Sequence, residues 1–476
     1  MTTATFTTLG CRLNQAESDA MAEDLATAGI GAPRGDAHPD VVVVNTCTVT
    51  REATKASRMA IRRAVRSHPD AKIVVVGCYA VSDRAEVEAI EGVDLVLGND
   101  EKEDFVAALG HETLGHETLG NDAARPLLNI GFRQGSGSAI SAAETQVRVR
   151  ANLKAQTGCD EWCSFCIIPT TRGPLRSMDE DTLVGEARRR VAAGARELVL
   201  TGVHLGKYTY DTGGDERSLI RLFQRLLDIE GVLRLRLSSI LSHHLTPEVV
   251  GFLGAEPRMC PYLHVPLQSG DDEVLEAMNR PYRIGEYLEA IERVRTALPR
   301  AALATDIIVG FPGESDGAFA NTMDVVRRVG FSKLHVFRFS ARPDTAAAAM
   351  EDDVPPQVKK ERSKRLIELG NSIRRTFLEE HLDTPVEVLV EDERVVDGIP
   401  ICSGQTDDYV RVWFEGRGLL GRVVEVRGDE IRADGLRGRL AGDVADSSGG
   451  RGDRLLVPAG QGSGRSVVNG RGGRSG

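Results

Sequence analysis

The chain has 476 residues, of which 41% are hydrophobic and 27% are charged, and its formal net charge is -11. This length exceeds what one hydrophobic core supports and predicts two to four domains. No apolar run approaches the roughly 20 residues that a transmembrane helix needs, and the N-terminus lacks the pattern of a signal peptide. We therefore expect a cytoplasmic protein with no membrane partner.

The negative charge disfavours non-specific nucleic-acid binding but leaves room for a local basic face. Because the cytoplasm keeps thiols reduced, the eight cysteines are expected to be metal ligands or core residues rather than disulfides.

Residues 1–110 are predicted to alternate strands with helices. The strand candidates are TFTTLGC, DVVVVNTC, AKIVVVGC and VDLVLGN. Such alternation predicts an α/β domain, in which helices pack on the faces of a parallel sheet.

The rest of the chain divides into four segments. Residues 111–145 contain the tandem repeat GHETLGHETLG and a Gly/Ser-rich run, which predict a linker. Residues 146–383 carry six strand candidates separated by helical patterns, which predict a partial (β/α)6 barrel with its chemistry at the carboxyl ends of the strands. Residues 384–442 predict a small antiparallel β-barrel, and residues 443–476, rich in Gly, Ser and Arg, predict a disordered tail.

Three cysteines of the first domain, Cys11, Cys47 and Cys78, each stand at the carboxyl end of a predicted parallel strand. Because ligands collect at that edge of such a sheet, these thiols are expected to converge. A set of three buried small hydrophobes is the alternative, but it requires a coincidence of three equivalent positions. The pattern favours a three-thiolate metal site.

A second set of three cysteines lies in CDEWCSFC, at Cys159, Cys163 and Cys166, in the loop after the first barrel strand. Structural zinc takes four ligands, and no second cysteine pair follows, so three closely spaced thiolates favour an iron–sulfur cluster with one free iron. A small molecule bound to that iron could receive an electron directly. The isolated Cys260 and Cys402 are expected to be core or surface thiols.

The segment YVRVWF of the terminal barrel predicts a strand with two unlike faces. Tyr409, Arg411 and Trp413 would share the outer face, where aromatic and guanidinium planes suit stacking on RNA bases. Packing of Trp413 under a loop is the alternative.

The C-x3-C-x2-C spacing of CDEWCSFC resembles the signature of the radical S-adenosylmethionine (SAM) superfamily, and the chain from about residue 5 to 345 resembles its methylthiotransferase branch. The matching segments are LGCRLNQAES, NTCTVT, VVGCYA, GCDEWCSFCIIPTTRG, LTGVHLGKY, RLRLSSI, HVPLQSGDDEVLEAMNR, DIIVGFPGE and FRFSARPDT. The resemblance implies a methylthiotransferase domain at 1–110, a radical SAM domain at 146–383 and a TRAM-like β-barrel at 384–442.

The resemblance also implies two [4Fe–4S] clusters. The first would be held by Cys159, Cys163 and Cys166, and its open iron would bind SAM and release a 5′-deoxyadenosyl radical. The auxiliary cluster, with an open iron that carries the sulfur, would be held by Cys11, Cys47 and Cys78.

Further SAM contacts are implied near the strand ends. Phe165 would pack near the adenine, with a core aromatic as the alternative. Gly310, Gly313 and Glu314 would form a loop beside the adenine, with a plain tight turn as the alternative. The loop from Gly202 to Gly206 would line the pocket. The lone His204 and His264 are given no role.

The segments LGCRLNQAES, TGVHLGKY and RLRLSSI look most like the branch that modifies N6-threonylcarbamoyladenosine in tRNA. The sequence departs from that branch at LSHH after RLRLSSI and at Thr157. The expected partners are the tRNA anticodon loop and an electron donor such as flavodoxin or ferredoxin, with the sulfur donor undetermined. The alternatives are isopentenyladenosine tRNA, a ribosomal-protein aspartate, and a non-catalytic zinc-bearing RNA-binding protein.

Overall fold

Four parallel strands in the order β1-β2-β3-β4 build the first sheet of the computed structural model, which describes residues 2–33, 37–109 and 148–442. The central strands are continuous apolar runs buried on both faces, as parallel sheets require. The strands are β1 (Ala4–Thr8), β2 (Val41–Thr46), β3 (Lys72–Gly77) and β4 (Leu95–Leu97). The helices are α1 (Arg12–Thr27), α2 (Arg51–Ser67), α3 (Cys78–Ser82), α4 (Arg84–Glu88) and α5 (Phe105–Ala108). The predicted α/β architecture of this region is confirmed.

Helix α1 departs from the usual pattern of a surface helix, because its polar residues are buried. Asn14, Glu17 and Asp19 are each at most 5% exposed, since α1 packs against the first strand of the next region. The ion pair from Arg148 Nη1 to Asp19 Oδ1, 2.7 Å, lies at this contact.

Six parallel strands form the partial barrel that the sequence predicts. Two sheets contribute, ordered β6-β5-β7-β8 and β11-β10-β9, and a parallel bridge between Leu235 and Met259 lies between them. The parallel strands are β5 (Arg150–Thr157), β7 (Glu197–Gly202), β8 (Arg234–Leu237), β9 (Tyr262–His264), β10 (Ala302–Val309) and β11 (Lys333–Arg338). The short β6 (Arg176–Ser177) pairs antiparallel with β5, which the sequence did not indicate.

Helices cover the outside of this barrel and bury their apolar faces on it. In α8 (Glu216–Leu227), Leu219, Leu222 and Leu226 recur at helical spacing and are at most 1% exposed. The helices are α6 (Ile168–Arg172), α7 (Glu180–Ala192), α8 (Glu216–Leu227), α9 (Pro247–Ala255), α10 (Asp272–Ala277), α11 (Ile284–Ala297), α12 (Asp316–Val329) and α13 (Pro356–Glu379).

Five strands close the C-terminal barrel in the order β12-β13-β14-β16-β15, which confirms the predicted small barrel. They are β12 (Pro385–Val396), β13 (Ile399–Thr406), β14 (Arg411–Glu415), β15 (Val423–Arg432) and β16 (Gly435–Leu440). The sequence missed β13 because Pro400 and Gly404 interrupt it, and both residues are depleted in strands.

The described chain up to Ala441 forms one compact unit. Cys260 and Cys402 are 5% and 0% exposed, so both are core thiols. None of the described helices combines the length and apolarity that crossing a bilayer requires. The predicted linker at 111–145 and the predicted tail at 443–476 lie outside the described residues.

Candidate active site

The first cysteine triplet gathers where three neighbouring strands end. Cys11 precedes α1, Cys47 directly follows β2, and Cys78 begins α3, and the strands β1, β2 and β3 are paired in that order. Burial, reinforced by the charges of Cys78 and Cys11, raises the pKa of the Cys47 thiol to about 12. The structure therefore brings together the three thiols that the sequence placed at this edge.

Gly10 makes the close approach of two of these cysteines possible. Its φ is 96°, and a Cβ atom there would lie 2.6 Å from Cys47 Cβ. A side chain at this position would push Cys47 away from Cys11.

The second triplet occupies the turn between β5 and α6. The Cys166 amide donates to the Cys163 carbonyl oxygen at 3.0 Å, and the Cys159 amide donates to the Gly173 carbonyl oxygen at 3.2 Å. Gly158 begins the turn at a φ of 69°, where any Cβ would strike the Pro174 carbonyl oxygen. The loop backbone thus closes on itself and aims the cysteines together.

The raised pKa values of Cys159 and Cys166 indicate that the thiols of the second triplet lie close to one another. Burial raises the pKa of Cys166 to about 12, and the neighbouring Cys163 adds to this effect. Burial likewise raises the pKa of Cys159 to about 11. Arg280 Nη1 donates to Cys163 Sγ at 3.0 Å, so one guanidinium is in place to stabilise a thiolate.

The spacing of the thiols bears on which metal they could hold. Zinc–thiolate bonds of about 2.3 Å put sulfur atoms roughly 3.8 Å apart in a tetrahedral site. Sets of described side chains whose ligand atoms all lie within 4.8 Å of one another include Cys159 with Asp160 and His204, but neither cysteine triplet. At least one sulfur–sulfur distance in each triplet therefore exceeds 4.8 Å, which is wider than a single zinc ion bound by all three thiolates requires.

A buried polar network links the first triplet to the helix that follows the second, and sequence reasoning missed it. Arg172, which ends α6, donates through Nη2 to Asn14 Oδ1 at 2.5 Å and through Nη1 to Glu17 Oε1 at 2.8 Å. Lys102 Nζ donates to Glu17 Oε2 at 2.5 Å. Burial alone would raise the pKa of Glu17, but Arg172 and Lys102 reverse this and hold it far below its usual range.

The same network reaches the sulfur atoms. The Asn14 side chain lies 3.8 Å from Cys11 Sγ, and Asn99 Nδ2 lies 3.8 Å from Cys78 Sγ while donating to the Thr171 carbonyl oxygen at 2.6 Å. The available signal was the polar spacing of Asn14 and Glu17 on one helical face just after Cys11.

The predicted SAM-pocket residues lie in the barrel at strand ends. Phe165 is half-buried against an apolar cluster that includes Phe311 and Met278. Gly202 ends β7, and Gly310 follows β10 with a φ of 71°.

Glu314 braces this last loop from inside. It is 3% exposed, and its Oε2 accepts from the Gly310 amide at 2.7 Å and from Arg362 Nη1 at 2.7 Å. Burial raises the pKa of Glu314 although Arg362 opposes the shift. The carboxylate holds the loop in shape.

One group of histidines lies close to the second triplet, and another lies in the barrel interior. His204 Nε2 lies 3.1 Å from His244 Nε2, and burial lowers the pKa of both rings to about 3, so they are neutral. His264 Nε2 lies 3.1 Å from Asp306 Oδ1, and Asp306 is paired in register with His335.

The predicted RNA-facing residues do not form one row. Strand β14 begins at Arg411, and Tyr409 precedes it with a φ of 74°. The prediction that Tyr409 shares a strand face with Arg411 and Trp413 is therefore wrong, because the left-handed residue turns the chain inward. Val412 and Phe414 are buried and Arg411 and Trp413 are half-buried, as the alternation predicts.

Tyr409 instead fills the junction of three regions. Its hydroxyl accepts from Arg12 Nη2 at 2.6 Å, and its ring stacks on Tyr262 at 4.6 Å between centroids. The guanidinium groups of Arg150 and Arg236 lie 5.2 and 4.7 Å from the ring centre. Burial would raise the pKa of Tyr409, but these cations, Arg12 foremost, lower it to about 8.

Comparison with known proteins extends these observations. Residues 3–98 match the "Uncharacterized protein family UPF0004", and residues 153–326 match the "Radical SAM superfamily". The chain is 36% identical to the threonylcarbamoyladenosine tRNA methylthiotransferase MtaB of Bacillus subtilis (strain 168), over 90% of this chain and 94% of that protein. It is 32% identical to a tRNA-2-methylthio-N(6)-dimethylallyladenosine synthase of Endomicrobium trichonymphae, over 91% and 98%.

Among solved structures, the fold resembles the radical S-adenosylmethionine methyltransferase TsrM from Kitasatospora setae. That likeness has a TM-score of 0.51 and 17% identity, covering 73% of this chain and 77% of that one, so it bears on the fold alone. The matches to these curated relatives cover about nine-tenths of the chain, and the two family models span the two cysteine triplets. The chain therefore belongs to the tRNA methylthiotransferases of the radical SAM superfamily.

Proposed function

We propose that this protein adds a methylthio group to C2 of N6-threonylcarbamoyladenosine beside the anticodon of tRNA. The observation that carries the proposal is the presence of two three-thiol sites at the carboxyl ends of parallel strands, with the helix that follows the second triplet bound to the helix that follows Cys11 by the buried Glu17–Arg172 ion pair. Two such sites supply two chemistries, one that activates a carbon and one that delivers sulfur. The names of the relatives support the choice of substrate.

Membership of the radical SAM superfamily implies SAM and one [4Fe–4S] cluster, and we assign that cluster to Cys159, Cys163 and Cys166. We assign a second cluster to Cys11, Cys47 and Cys78. Soft thiolates in sets of three, spaced more widely than zinc requires, suit both assignments. When bound, the two clusters supply the electron that cleaves SAM and the site that carries the transferred sulfur.

The protein's own side chains hold and tune these sites. Arg280 compensates thiolate charge at Cys163, and Arg172 does so near Cys11 and Cys78. We propose that Phe165 and the loops at Gly202 and Gly310 line the SAM pocket, with Glu314 keeping the second loop in shape. These residues lie at strand ends on the edge of the barrel that holds the second triplet.

The barrel interior favours a polar substituent on the target base. In β10 the outward-packed Leu303, Ile307 and Val309 belong to the main core, which leaves Asp306 on the opposite, inner face, where His264 and His335 adjoin it. A threonylcarbamoyl group carries a carboxylate that can accept from a histidine ring N–H and a hydroxyl that can donate to Asp306. An apolar dimethylallyl group would make no hydrogen bonds to these half-buried polar groups.

The remaining partners follow from this chemistry. We propose that Arg411 and Trp413, on the outer face of the C-terminal barrel, contact the tRNA. An electron donor such as flavodoxin or ferredoxin would reduce the first cluster, and a cytoplasmic location would give access to tRNA.

The test is anaerobic incubation of the reconstituted protein with SAM, a reductant and tRNA that carries N6-threonylcarbamoyladenosine, followed by mass analysis of the nucleosides. A gain of one methylthio group on that nucleoside is expected. Modification of N6-dimethylallyladenosine alone would overturn the substrate, and one or two zinc ions without acid-labile sulfide would overturn the reaction.

A further inference from the structure

Helix α2 presents four cations along one face. They recur at intervals of four, three and four residues, so they project from the same side over about 16 Å of helix. They are Arg51, Lys55, Arg58 and Arg62. Together with Met59, Asp83 and the loop at Arg342, they line a groove of about 600 Å³, here named the α2 groove.

The charge of this groove is poorly compensated by the protein itself. Arg58 donates to Glu86 and Tyr79, but within the described part of the chain Arg51, Lys55 and Arg62 are exposed and make no ion pair. Cations three and four residues apart repel one another, and Arg51 opposes the helix dipole at the first position of α2. An anionic ligand would relieve both costs.

The groove leads directly to the first cysteine triplet. Arg342 is 9% exposed, and its Nη2 donates to Thr48 Oγ1 at 2.6 Å and to Thr54 Oγ1 at 3.1 Å. Thr48 is the residue after Cys47, and Thr54 lies in the first turn of α2. A ligand bound along the groove therefore ends beside the site assigned to sulfur transfer.

We infer that the α2 groove binds the phosphodiester backbone of the substrate RNA next to the target adenosine, an inference that rests on the proposed function. The planar forks of arginine match phosphate oxygens, and the row of cations follows a chain of regularly spaced charges. An acidic electron-donor protein is the other anionic candidate. The position of the groove argues against such a donor protein. The groove is concave, and it adjoins Cys47 rather than the Cys159 triplet, which is the site that must be reduced.

The test compares two variants with equal loss of charge. The groove variant is Arg51→Gln, Lys55→Gln and Arg62→Gln; the control variant is Arg188→Gln, Arg328→Gln and Lys360→Gln, three exposed cations on barrel helices. Fluorescence anisotropy measures the Kd for tRNA that carries N6-threonylcarbamoyladenosine, in the reconstituted protein at several KCl concentrations. Loss of three phosphate contacts is expected to raise Kd roughly 10- to 100-fold near 0.15 M salt and to reduce the salt slope by about 2.

The control variant is expected to bind tRNA within about threefold of the unmodified protein, since scattered surface charge contributes only long-range attraction that salt screens. Glutamine forms helices well, and thermal unfolding and iron content verify that the groove variant is folded and loaded.

Equal weakening of both variants would overturn the inference, because it would show only general attraction. Unchanged tRNA binding with impaired reduction by flavodoxin would also overturn it and assign the groove to the electron donor. If the unmodified protein binds tRNA tightly but transfers no methylthio group, the proposed function fails while the groove is still tested by binding. If it binds no tRNA, both proposals fall.

Discussion

Arg172 ties the helix after the second cysteine triplet to the helix that follows Cys11 of the first. It ends the helix that follows Cys166, yet its guanidinium contacts Asn14 and Glu17 on the helix that follows Cys11. Its charge is balanced by Glu17 and acts on Cys78 and Cys11. This buried side chain is therefore one of the contacts that hold the first domain against the barrel, with the Arg148–Asp19 ion pair as another.

Cys47→Ala separates the roles of the two triplets. We expect methylthiolation to be abolished while reductive cleavage of SAM is largely retained, because the Cys159 triplet is untouched. Mass analysis of tRNA nucleosides and of 5′-deoxyadenosine measures the two activities. Cys402→Ala, which removes a thiol from the C-terminal core, is the control that should retain both. Equal loss of both activities in Cys47→Ala would contradict separate roles.

Tyr409→Phe removes a hydroxyl while keeping the stacked ring. The Arg12 guanidinium loses its acceptor, so we expect a loss of about 1–3 kcal/mol in the free energy of unfolding, measured by chemical denaturation. A destabilisation within error would show that water replaces the hydroxyl at no cost.

The ionisation of Tyr409 gives a second, independent readout. Its pKa falls from an ordinary value of 10 to about 8 in the folded protein. Its anionic form therefore adds stability above the unfolded pKa, and this addition is lost as pH falls from about 10 through 8. The stability difference between the unmodified protein and Tyr409→Phe should widen between pH 7 and 10. A difference that does not change with pH would refute the shift.

At the scale of elements, a charged layer joins the barrel strands to the C-terminal barrel. Glu197 of β7 is fully buried and pairs with Arg150, Arg234 and Arg236 of the neighbouring strands. Arg236 Nη1 also donates to the Asp407 carbonyl oxygen at 2.7 Å, in the turn before β14. The Glu197 carboxylate thus forms ion pairs with three guanidinium groups, and Arg236 in turn hydrogen-bonds the backbone of the C-terminal region.

Glu197→Gln tests this layer. Removing the carboxylate charge leaves the buried Arg234 and Arg236 without their carboxylate partner, while Arg150 keeps Glu391, so we expect a loss of about 3–5 kcal/mol in the free energy of unfolding. Glu88→Gln, which breaks an exposed pair with Arg84, is the matched control and should cost no more than about 1 kcal/mol. Similar small losses in both variants, measured by denaturant titration, would contradict a structural role for the layer.

The sequence predicts these elements well where hydrophobic runs are long, as in VVVV of β2 or ALATDIIV of β10. Prediction from the sequence fails where contacts between distant parts of the chain determine burial or backbone conformation. The spacing of Asn14 and Glu17 on one face of α1 does not reveal what pairs with Glu17, because its partners Lys102 and Arg172 are distant in the chain. Likewise period-two alternation assumes extended backbone and cannot foresee the left-handed turn at Tyr409.

At the scale of the whole molecule, the cysteines that are far apart in sequence come together only through the order of the strands. Parallel pairing of β1, β2 and β3 was predictable, and so was the convergence of their carboxyl ends. The contact between the first domain and the barrel was not, because it depends on polar side chains that resemble those of an exposed helix.

The iron content of the whole molecule checks the two-cluster assignment. The anaerobically reconstituted protein should hold about eight iron atoms and as many acid-labile sulfides, and replacing either triplet by alanines should halve both numbers. Loss of all iron from a variant of one triplet, with the fold intact by circular dichroism, would show a single shared centre.

Tyr409 limits which C-terminal barrels from relatives could replace the one in this chain. The residue belongs to the last domain, but its ring and hydroxyl are held by Arg12 from the first domain and by Tyr262 and Arg236 from the second. A chimaera that grafts the terminal barrel of a relative onto this chain must therefore bring a tyrosine in the same left-handed turn, or redesign all three surfaces at once. Through Tyr409, the C-terminal barrel therefore contacts both of the regions that precede it in the chain.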